Sequence, residues 1–273
     1  MATFTTSDGL SLYYTDTGNG LPILCLSGLG RTGADFRYVA PYLEDYRVIT
    51  MDYRGRGQSE FDKNWRNYTL AIESRDAVEL LDHLSIDKAA ILGTSRGGLN
   101  AMMLGQIVPD RILGVAFNDV GPEIDPEGIK DIMAYLGVKP SIRTHAEAAL
   151  ILPNLLGGFI GVPASRWMEE AETHFVDDGA GGLNLTYDAH LRDAVANETE
   201  SPDLWAFFDD LAGKPLCLIH AAGSEILNEK TAQEMRARRP DMIYTNLPDR
   251  GHIPFLDEPA AVTALKDWLD LIQ

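Results

Sequence analysis

The stretch Gly93-Thr94-Ser95-Arg96-Gly97 combines a hydroxyl nucleophile with small residues that could expose it. A buried apolar run precedes Ser95 and a helical pattern follows it, so the chain must turn abruptly there. Such a turn needs glycines where the helix crosses the strand, and it presents the hydroxyl at the carboxyl edge of a sheet. The alternative is a serine that only caps the helix. The context favours the nucleophile.

A serine hydroxyl is too weak an acid to attack unaided, and histidine is the base suited to neutral pH. Of the six histidines, only His220 and His252 are expected to reach the same sheet edge. His220 ends a strand-like run, whereas His252 lies in a glycine-containing loop before the last helix. This position favours His252 as the general base.

The base needs a carboxylate that fixes its tautomer and stabilises the imidazolium. Glu225 follows the strand that ends near His220, and Asp119 ends an earlier strand at the same edge. Either could serve. The preferred assignment is Glu225, with Asp119 as the alternative acid.

The tetrahedral intermediate of acyl transfer needs hydrogen-bond donors for its oxyanion. The backbone N–H of Arg96 is one candidate, because it directly follows the nucleophile. The loop Ser27-Gly28-Leu29-Gly30 supplies the other, since its glycines allow a close backbone approach. The second predicted donor is the N–H of Leu29.

Strand and helix patterns alternate in the first half of the chain, which predicts a parallel sheet with helices on both faces. A helix is predicted from Tyr68 to Leu84 and another near the C-terminus. Residues 122–212 show helical segments and no convincing strand. The predicted division is therefore an α/β core of residues 1–121 and 213–273, interrupted by a helical cap at 122–212.

Composition narrows the class of protein. The 273 residues include 23 basic and 41 acidic ones, a net charge of −18, which disfavours nucleic acid and anionic membranes as partners. Cys25 and Cys217 lie in apolar runs and are predicted to be buried free thiols. The start of the chain lacks a signal-like apolar run, so a cytoplasmic location is expected. A homodimer is compatible with the sequence.

The order Ser95, Glu225, His252 resembles that of the α/β-hydrolase fold family over essentially the whole chain. Two further segments are similar to motifs of that family, Asp52-Tyr-Arg-Gly-Arg-Gly-Gln-Ser59 and the histidine loop Arg250-Gly-His-Ile-Pro-Phe-Leu-Asp-Glu-Pro259. The resemblance implies an eight-stranded, mostly parallel sheet, a cap domain, a Ser-His-acid triad and no cofactor. Ser27-Gly28 stands where the family usually has His-Gly, and Glu225 where it usually has Asp.

These features predict a cofactor-free serine hydrolase, most simply a carboxylic ester hydrolase acting on a small-molecule ester. The same machinery could open lactones, cleave carbon–carbon bonds, hydrolyse amides or form peracids. Epoxide hydrolases and haloalkane dehalogenases of the family use Asp at the nucleophile position, so Ser95 disfavours those two activities here. A hypothesis of another class is a ligand-binding receptor that turns over slowly.

Substrate contacts are predicted in the cap and in the loop after the first parallel strand. Phe159 and Trp167, with Phe175 and Trp205, are candidates for an apolar acyl pocket. Arg31 and Arg96 could clamp a substrate carboxylate if both side chains face that pocket. Against this, the segment 122–212 holds 5 basic and 17 acidic residues, a field unfavourable to anions.

Overall fold

A computed structural model describes residues 2–198 and 203–272. Ten strands lie within these ranges: β1 Ala2–Thr5, β2 Ser11–Thr17, β3 Pro22–Leu26, β4 Arg47–Met51, β5 Ala89–Thr94, β6 Ile112–Asn118, β7 Phe175–Asp177, β8 Leu183–Leu185, β9 Leu216–Ala221 and β10 Ile243–Leu247. The same ranges contain nine α-helices: α1 Leu70–His83, α2 Arg96–Ile107, α3 Pro126–Tyr135, α4 His145–Leu155, α5 Ala164–His174, α6 Leu191–Ala196, α7 Leu204–Asp209, α8 Glu229–Arg238 and α9 Pro259–Asp270.

Eight of the strands form one sheet in the order β1-β2-β4-β3-β5-β6-β9-β10. Strand β2 is antiparallel to β1 and β4, and the other neighbours are parallel. Strand β5 is buried at every position because helices cover both faces of the sheet. The predicted eight-stranded, mostly parallel α/β architecture is confirmed.

Helix α1 shows how the sequence pattern places an element on this sheet. Thr69 caps its N-terminus by accepting a hydrogen bond from the backbone N–H of Ile72. The apolar stripe of Leu70, Ala77, Leu80 and Leu81 is buried against the core. The helix occupies Leu70–His83, close to the predicted range Tyr68–Leu84.

The segment between β6 and β9 carries helices α3 to α7 and a two-stranded antiparallel sheet of β7 and β8. The expectation of no strand in this segment is corrected. Each of these strands has only three residues, which is too few to show an alternating pattern in the sequence. Residues 199–202, inside the predicted cap at 122–212, lie outside the described ranges, and the domain boundaries stay a prediction.

Both cysteines are buried and free, as predicted. Burial raises the pKa of each thiol, so neither is poised as a nucleophile at neutral pH. Among the described helices, none is long and apolar enough to span a membrane.

Candidate active site

Ser95 stands at the junction of β5 and α2 with φ 50° and ψ −118°. Positive φ is uncommon for a residue other than glycine and marks a constrained turn. The neighbouring glycines are sterically required. A Cβ on Gly97 would lie 1.9 Å from the carbonyl oxygen of Leu26, and one on Gly93 would lie 2.5 Å from that of Gly97. This close crossing of helix and strand fixes Ser95 at the carboxyl edge of the central sheet.

The Ser95 hydroxyl does not cap helix α2. Its oxygen instead lies 2.9 Å from Nε2 of His252, which belongs to the loop between β10 and α9. The two residues are 157 positions apart in sequence and meet because both flank carboxyl ends of parallel strands. The structure therefore brings together the serine and the histidine that the sequence singles out.

The acid beside His252 is Asp119, with Oδ2 2.8 Å from Nδ1 of the imidazole. Since a carboxylate only accepts, Nδ1–H donates to Asp119 and Nε2 is left to accept the Ser95 proton. Asp119 is fully buried directly after β6, and its Oδ1 accepts the backbone N–H of Ala221 at 2.9 Å. Its own backbone N–H donates to the carbonyl of Ile219 at 2.8 Å. These bonds hold the carboxylate in one orientation.

The expectation that Glu225 orients His252 is therefore corrected. Glu225 is exposed in the loop after β9, which lies close to Gly128 and Gly157 of the predicted cap. A Cβ on Gly128 would lie 2.1 Å from the Glu225 carbonyl oxygen, and one on Gly157 would lie 3.3 Å from its Oε1. Asp119, the alternative acid, reaches His252 because it follows its strand immediately.

The other histidine at this edge is held in structural contacts. His220 is buried, with Nδ1 3.1 Å from the hydroxyl of Tyr244 and Nε2 3.0 Å from the carbonyl of Leu227. Both ring nitrogens are thus engaged away from Ser95.

The loop after β3 approaches Ser95 closely. A Cβ on Gly28 would lie 3.7 Å from that of Ser95, so the peptide leading to Leu29 borders the nucleophile. Within residues 2–198 and 203–272, the backbone N–H groups of Leu29 and Arg96 have no protein acceptor. Two unpaired donors beside a nucleophile are the arrangement that an oxyanion requires.

A buried carboxylate that the sequence analysis missed joins the two donor residues. Glu73, on α1, accepts Arg56 Nη2 and Arg96 Nε, each at 2.7 Å. Arg56 in turn donates its Nε to the carbonyl of Leu29 at 3.0 Å. Burial alone would raise the pKa of Glu73, but the Arg96 and Arg56 guanidiniums lower it, so it stays ionised. The sequence feature that could have identified Glu73 is an acidic residue on the apolar stripe of α1.

A cavity of about 490 Å³ opens onto Ser95 and His252. Most of its wall is apolar and comes from the cap, including Ile132, Leu152 and Phe175. Burial in this wall raises the pKa of Tyr135 to about 12, so its phenol stays neutral. The site therefore combines a polar floor with a largely apolar enclosure, as small-molecule sites commonly do.

Three of the predicted aromatic contacts lie elsewhere. Phe159 and Trp167 pack edge-on to each other at 5.4 Å between ring centroids, and both contact Phe255. They form the small hydrophobic core of the cap and do not line the cavity, which corrects the expectation that they contact substrate. Trp205 packs on Phe208 beside the core sheet. Phe175 alone of the four faces the cavity.

The predicted pair of clamping arginines is also corrected. Arg96 directs its guanidinium to Glu73, away from the cavity. Arg31 does line the cavity, and it is ion-paired with Asp35 and, at 2.8 Å, with Glu170. Of the two arginines, only Arg31 is thus available to a bound molecule.

Comparison with known proteins identifies the family of this chain. The family described as the alpha/beta hydrolase fold matches residues 22–143, a range that includes Ser95 and Asp119. The chain is 33% identical over 259 residues to the 3-hydroxybutyrate-oligomer hydrolase of Cupriavidus necator, covering 90% of this chain and 87% of that protein. It is 24% identical to the 2-(acetamidomethylene)succinate hydrolase of Mesorhizobium japonicum, with 94% and 90% covered.

A solved structure agrees in fold and in sequence. An alpha/beta hydrolase from Novosphingobium aromaticivorans superposes with a TM-score of 0.92 at 34% identity, covering 98% of this chain and 97% of its own. The sheet order, the strand–helix turn at Ser95 and these relatives point the same way. The chain belongs to the α/β-hydrolase family, and it is a hydrolase.

Proposed function

We propose that the protein is a carboxylic ester hydrolase that works through an acyl-enzyme on Ser95. The observation that carries the proposal is the unbroken hydrogen-bond chain from Ser95 Oγ through His252 to Asp119, at 2.9 and 2.8 Å. These distances lie within the range needed for proton transfer between a nucleophile and its base. The acid in this proposal is Asp119.

The reaction has two halves. Ser95 Oγ attacks the acyl carbon while His252 Nε2 takes its proton, and the carbonyl oxygen becomes an oxyanion facing the Leu29 and Arg96 N–H groups. The carbon–oxygen bond to the alcohol then breaks, and His252 returns the proton to the alcohol. Water attacks the acyl-enzyme as His252 takes a proton from it. His252 then gives that proton to Ser95 Oγ as the bond between the acyl carbon and Oγ breaks, which releases the carboxylic acid and restores the Ser95 hydroxyl.

The apolar enclosure supports an acyl group of moderate size as the bound part of the substrate. The relative from Cupriavidus necator is named for hydrolysis of 3-hydroxybutyrate oligomers. Short oligoesters of 3-hydroxy acids are therefore the first natural-type substrates to assay, beside lactones, amides and β-diketones.

The test is hydrolysis of p-nitrophenyl butyrate by the purified protein and by two serine variants. Ser95→Ala should lose at least about 10³-fold in kcat/KM, because the nucleophile is gone. Ser141→Ala is the matched control, since Ser141 also lines the cavity but lies outside the hydrogen-bond chain, and it should stay near wild type. Equal activity of Ser95→Ala and wild type would refute the acyl-enzyme proposal, and inactivity of the wild type on every acyl donor would refute the ester hydrolase.

A further inference from the structure

Arg31 lies beside the nucleophile. A Cβ on Gly28 would be 3.2 Å from Arg31 Cδ and 3.7 Å from Ser95 Cβ, so both side chains border the same small space. The backbone of Arg31 is fixed as well. Its N–H donates to the Gly28 carbonyl at 3.2 Å, and its carbonyl accepts the Ser27 hydroxyl at 3.2 Å. The Arg31 side chain is therefore attached to a hydrogen-bonded loop, the same loop that carries the Leu29 donor.

Two of the three guanidinium nitrogens of Arg31 have protein partners. Nε donates to Asp35, and Nη2 donates to Glu170 of the cap at 2.8 Å. Within the described ranges, Nη1 has no protein acceptor, and this atom is not fully enclosed. Arg31 lines the cavity, and Nη1 is its guanidinium nitrogen without a described protein partner, so Nη1 is the donor left for a bound molecule. Burial would lower the pKa of Arg31, but Asp35 and Glu170 raise it, so the group stays cationic.

The charges on the cavity wall contrast with those of the whole chain. Although acidic residues outnumber basic ones 41 to 23 in the chain, none of the Asp and Glu residues that the structure describes lines the cavity. The lining instead contains Arg31, Lys139 and His174, besides His252. A carboxylate inside this cavity would face cationic donors, and none of the described wall residues would repel it.

The carboxylates behind Arg31 do not remove this preference. Glu170 is shared among three donors: Arg31, Arg37 at 2.9 Å and His174 at 3.1 Å. Asp35 and Glu170 are thus matched by two arginines, and His174 adds further donor capacity. Their main effect is to hold the Arg31 guanidinium in place, so that its open edge is preorganised rather than mobile.

We propose that Arg31 forms a subsite for a carboxylate carried by the acyl part of the substrate, a short distance from the scissile carbonyl. The inference rests on the proposed ester hydrolysis for its orientation, because the acyl part is the portion held beside Ser95. The substrate class is then the monoesters of dicarboxylic acids, whose free carboxylate lies on the acyl side of the scissile bond.

The first experiment measures binding without turnover, in Ser95→Ala. Monobenzyl esters of succinic, glutaric and adipic acid are titrated by calorimetry, each against the neutral analogue in which a primary carboxamide replaces the carboxylate. For one of these lengths the carboxylate should bind at least about tenfold more tightly, which corresponds to about 1.4 kcal/mol. The variant Arg31→Gln in the same background should erase that ratio.

Arg37→Gln is the matched control. Arg37 also pairs with Glu170 but does not line the cavity, so its loss disturbs the same ion cluster and should leave the carboxylate preference intact. No preference for carboxylates in the parent, or a preference that survives Arg31→Gln, would overturn the subsite. Loss of the preference in both variants would also overturn it, since the effect would then belong to the cluster.

The second experiment separates this inference from the proposed function. In the wild type, kcat/KM is measured for the charged and the neutral ester of each pair, and the ratio of the two values reports the discrimination between them. Hydrolysis of both esters without discrimination refutes the subsite and leaves the esterase standing. Selective binding without any hydrolysis refutes the esterase and leaves the subsite standing.

Discussion

At the residue scale, the account depends on which carboxylate faces His252. Asp119 is fully buried and takes hydrogen bonds from both the imidazole and the Ala221 backbone. Glu225 is exposed and belongs to a loop that packs against Gly128 of the cap. An acid that orients a base must itself be held, and only Asp119 meets that condition.

We therefore predict opposite outcomes for two isosteric substitutions. Asp119→Asn should lower kcat for p-nitrophenyl butyrate by roughly 10³- to 10⁴-fold, because the amide favours the wrong imidazole tautomer. Glu225→Gln should keep kcat within about threefold of wild type. Circular dichroism and thermal melting check that both variants are folded. A larger loss in Glu225→Gln than in Asp119→Asn would restore the assignment that the sequence order favoured.

At the scale of elements, helix α1 connects the two halves of the candidate oxyanion site. Glu73 binds Arg96, which follows the nucleophile, and Arg56, which holds the Leu29 carbonyl. One turn further along, Asp76 binds Arg54 at 2.7 Å in a similarly buried ion pair that has no contact with the loop after β3. Glu73 thus contacts both arginines beside the candidate donors, whereas Asp76, three residues on, is a buried carboxylate without that connection.

Glu73→Gln should lower kcat by about 10- to 100-fold with KM changed less than about threefold, because displaced N–H donors weaken transition-state stabilisation more than substrate binding. Glu73→Gln and Asp76→Asn both break a buried ion pair and should lower the melting temperature to a similar extent, but Asp76→Asn should leave kcat near wild type. Steady-state kinetics beside thermal melts of both variants checks this. A parallel loss of kcat in the two would make Glu73 merely structural.

How far the sequence predicts these elements follows from what each pattern encodes. The Gly-x-Ser-x-Gly turn and the glycine-containing loop are local signals, and they placed Ser95 and His252 correctly at one sheet edge. The choice between Asp119 and Glu225 depends on how a loop turns in three dimensions, and chain order alone does not encode that. The apolar character of Phe159 and Trp167 indicates burial but not the packing partner, and in the structure both belong to the hydrophobic core of the cap.

At the scale of the molecule, one buried cluster joins the cap to the core. Glu170 and His174, on α5, meet Arg31, Asp35 and Arg37 from the segment after β3. Burial alone would raise the pKa of Glu170, but the hydrogen bond from His174 and the two guanidiniums lower it strongly. Its ionised form therefore stabilises the docking of the cap.

The sign of the pH dependence follows from that lowered pKa. The contribution of Glu170 to the free energy of unfolding is complete above its unfolded pKa of about 4.5, and it is lost as the pH falls toward the folded value. Glu170→Gln should cost about 2 kcal/mol near pH 7, the cost of removing a charged partner from buried donors. The difference from wild type should shrink between pH 5 and pH 3 in urea titrations. A constant difference would contradict the assigned ionisation.

The most direct test of the central claim is covalent capture by a fluorophosphonate, read by intact-mass and peptide mass spectrometry. The account predicts rapid addition of one label on Ser95, absent in Ser95→Ala and at least about 10³-fold slower in His252→Ala, because the imidazole takes the proton from the attacking hydroxyl. A wild-type protein that stays unlabelled, or carries the label on another residue, would contradict the account.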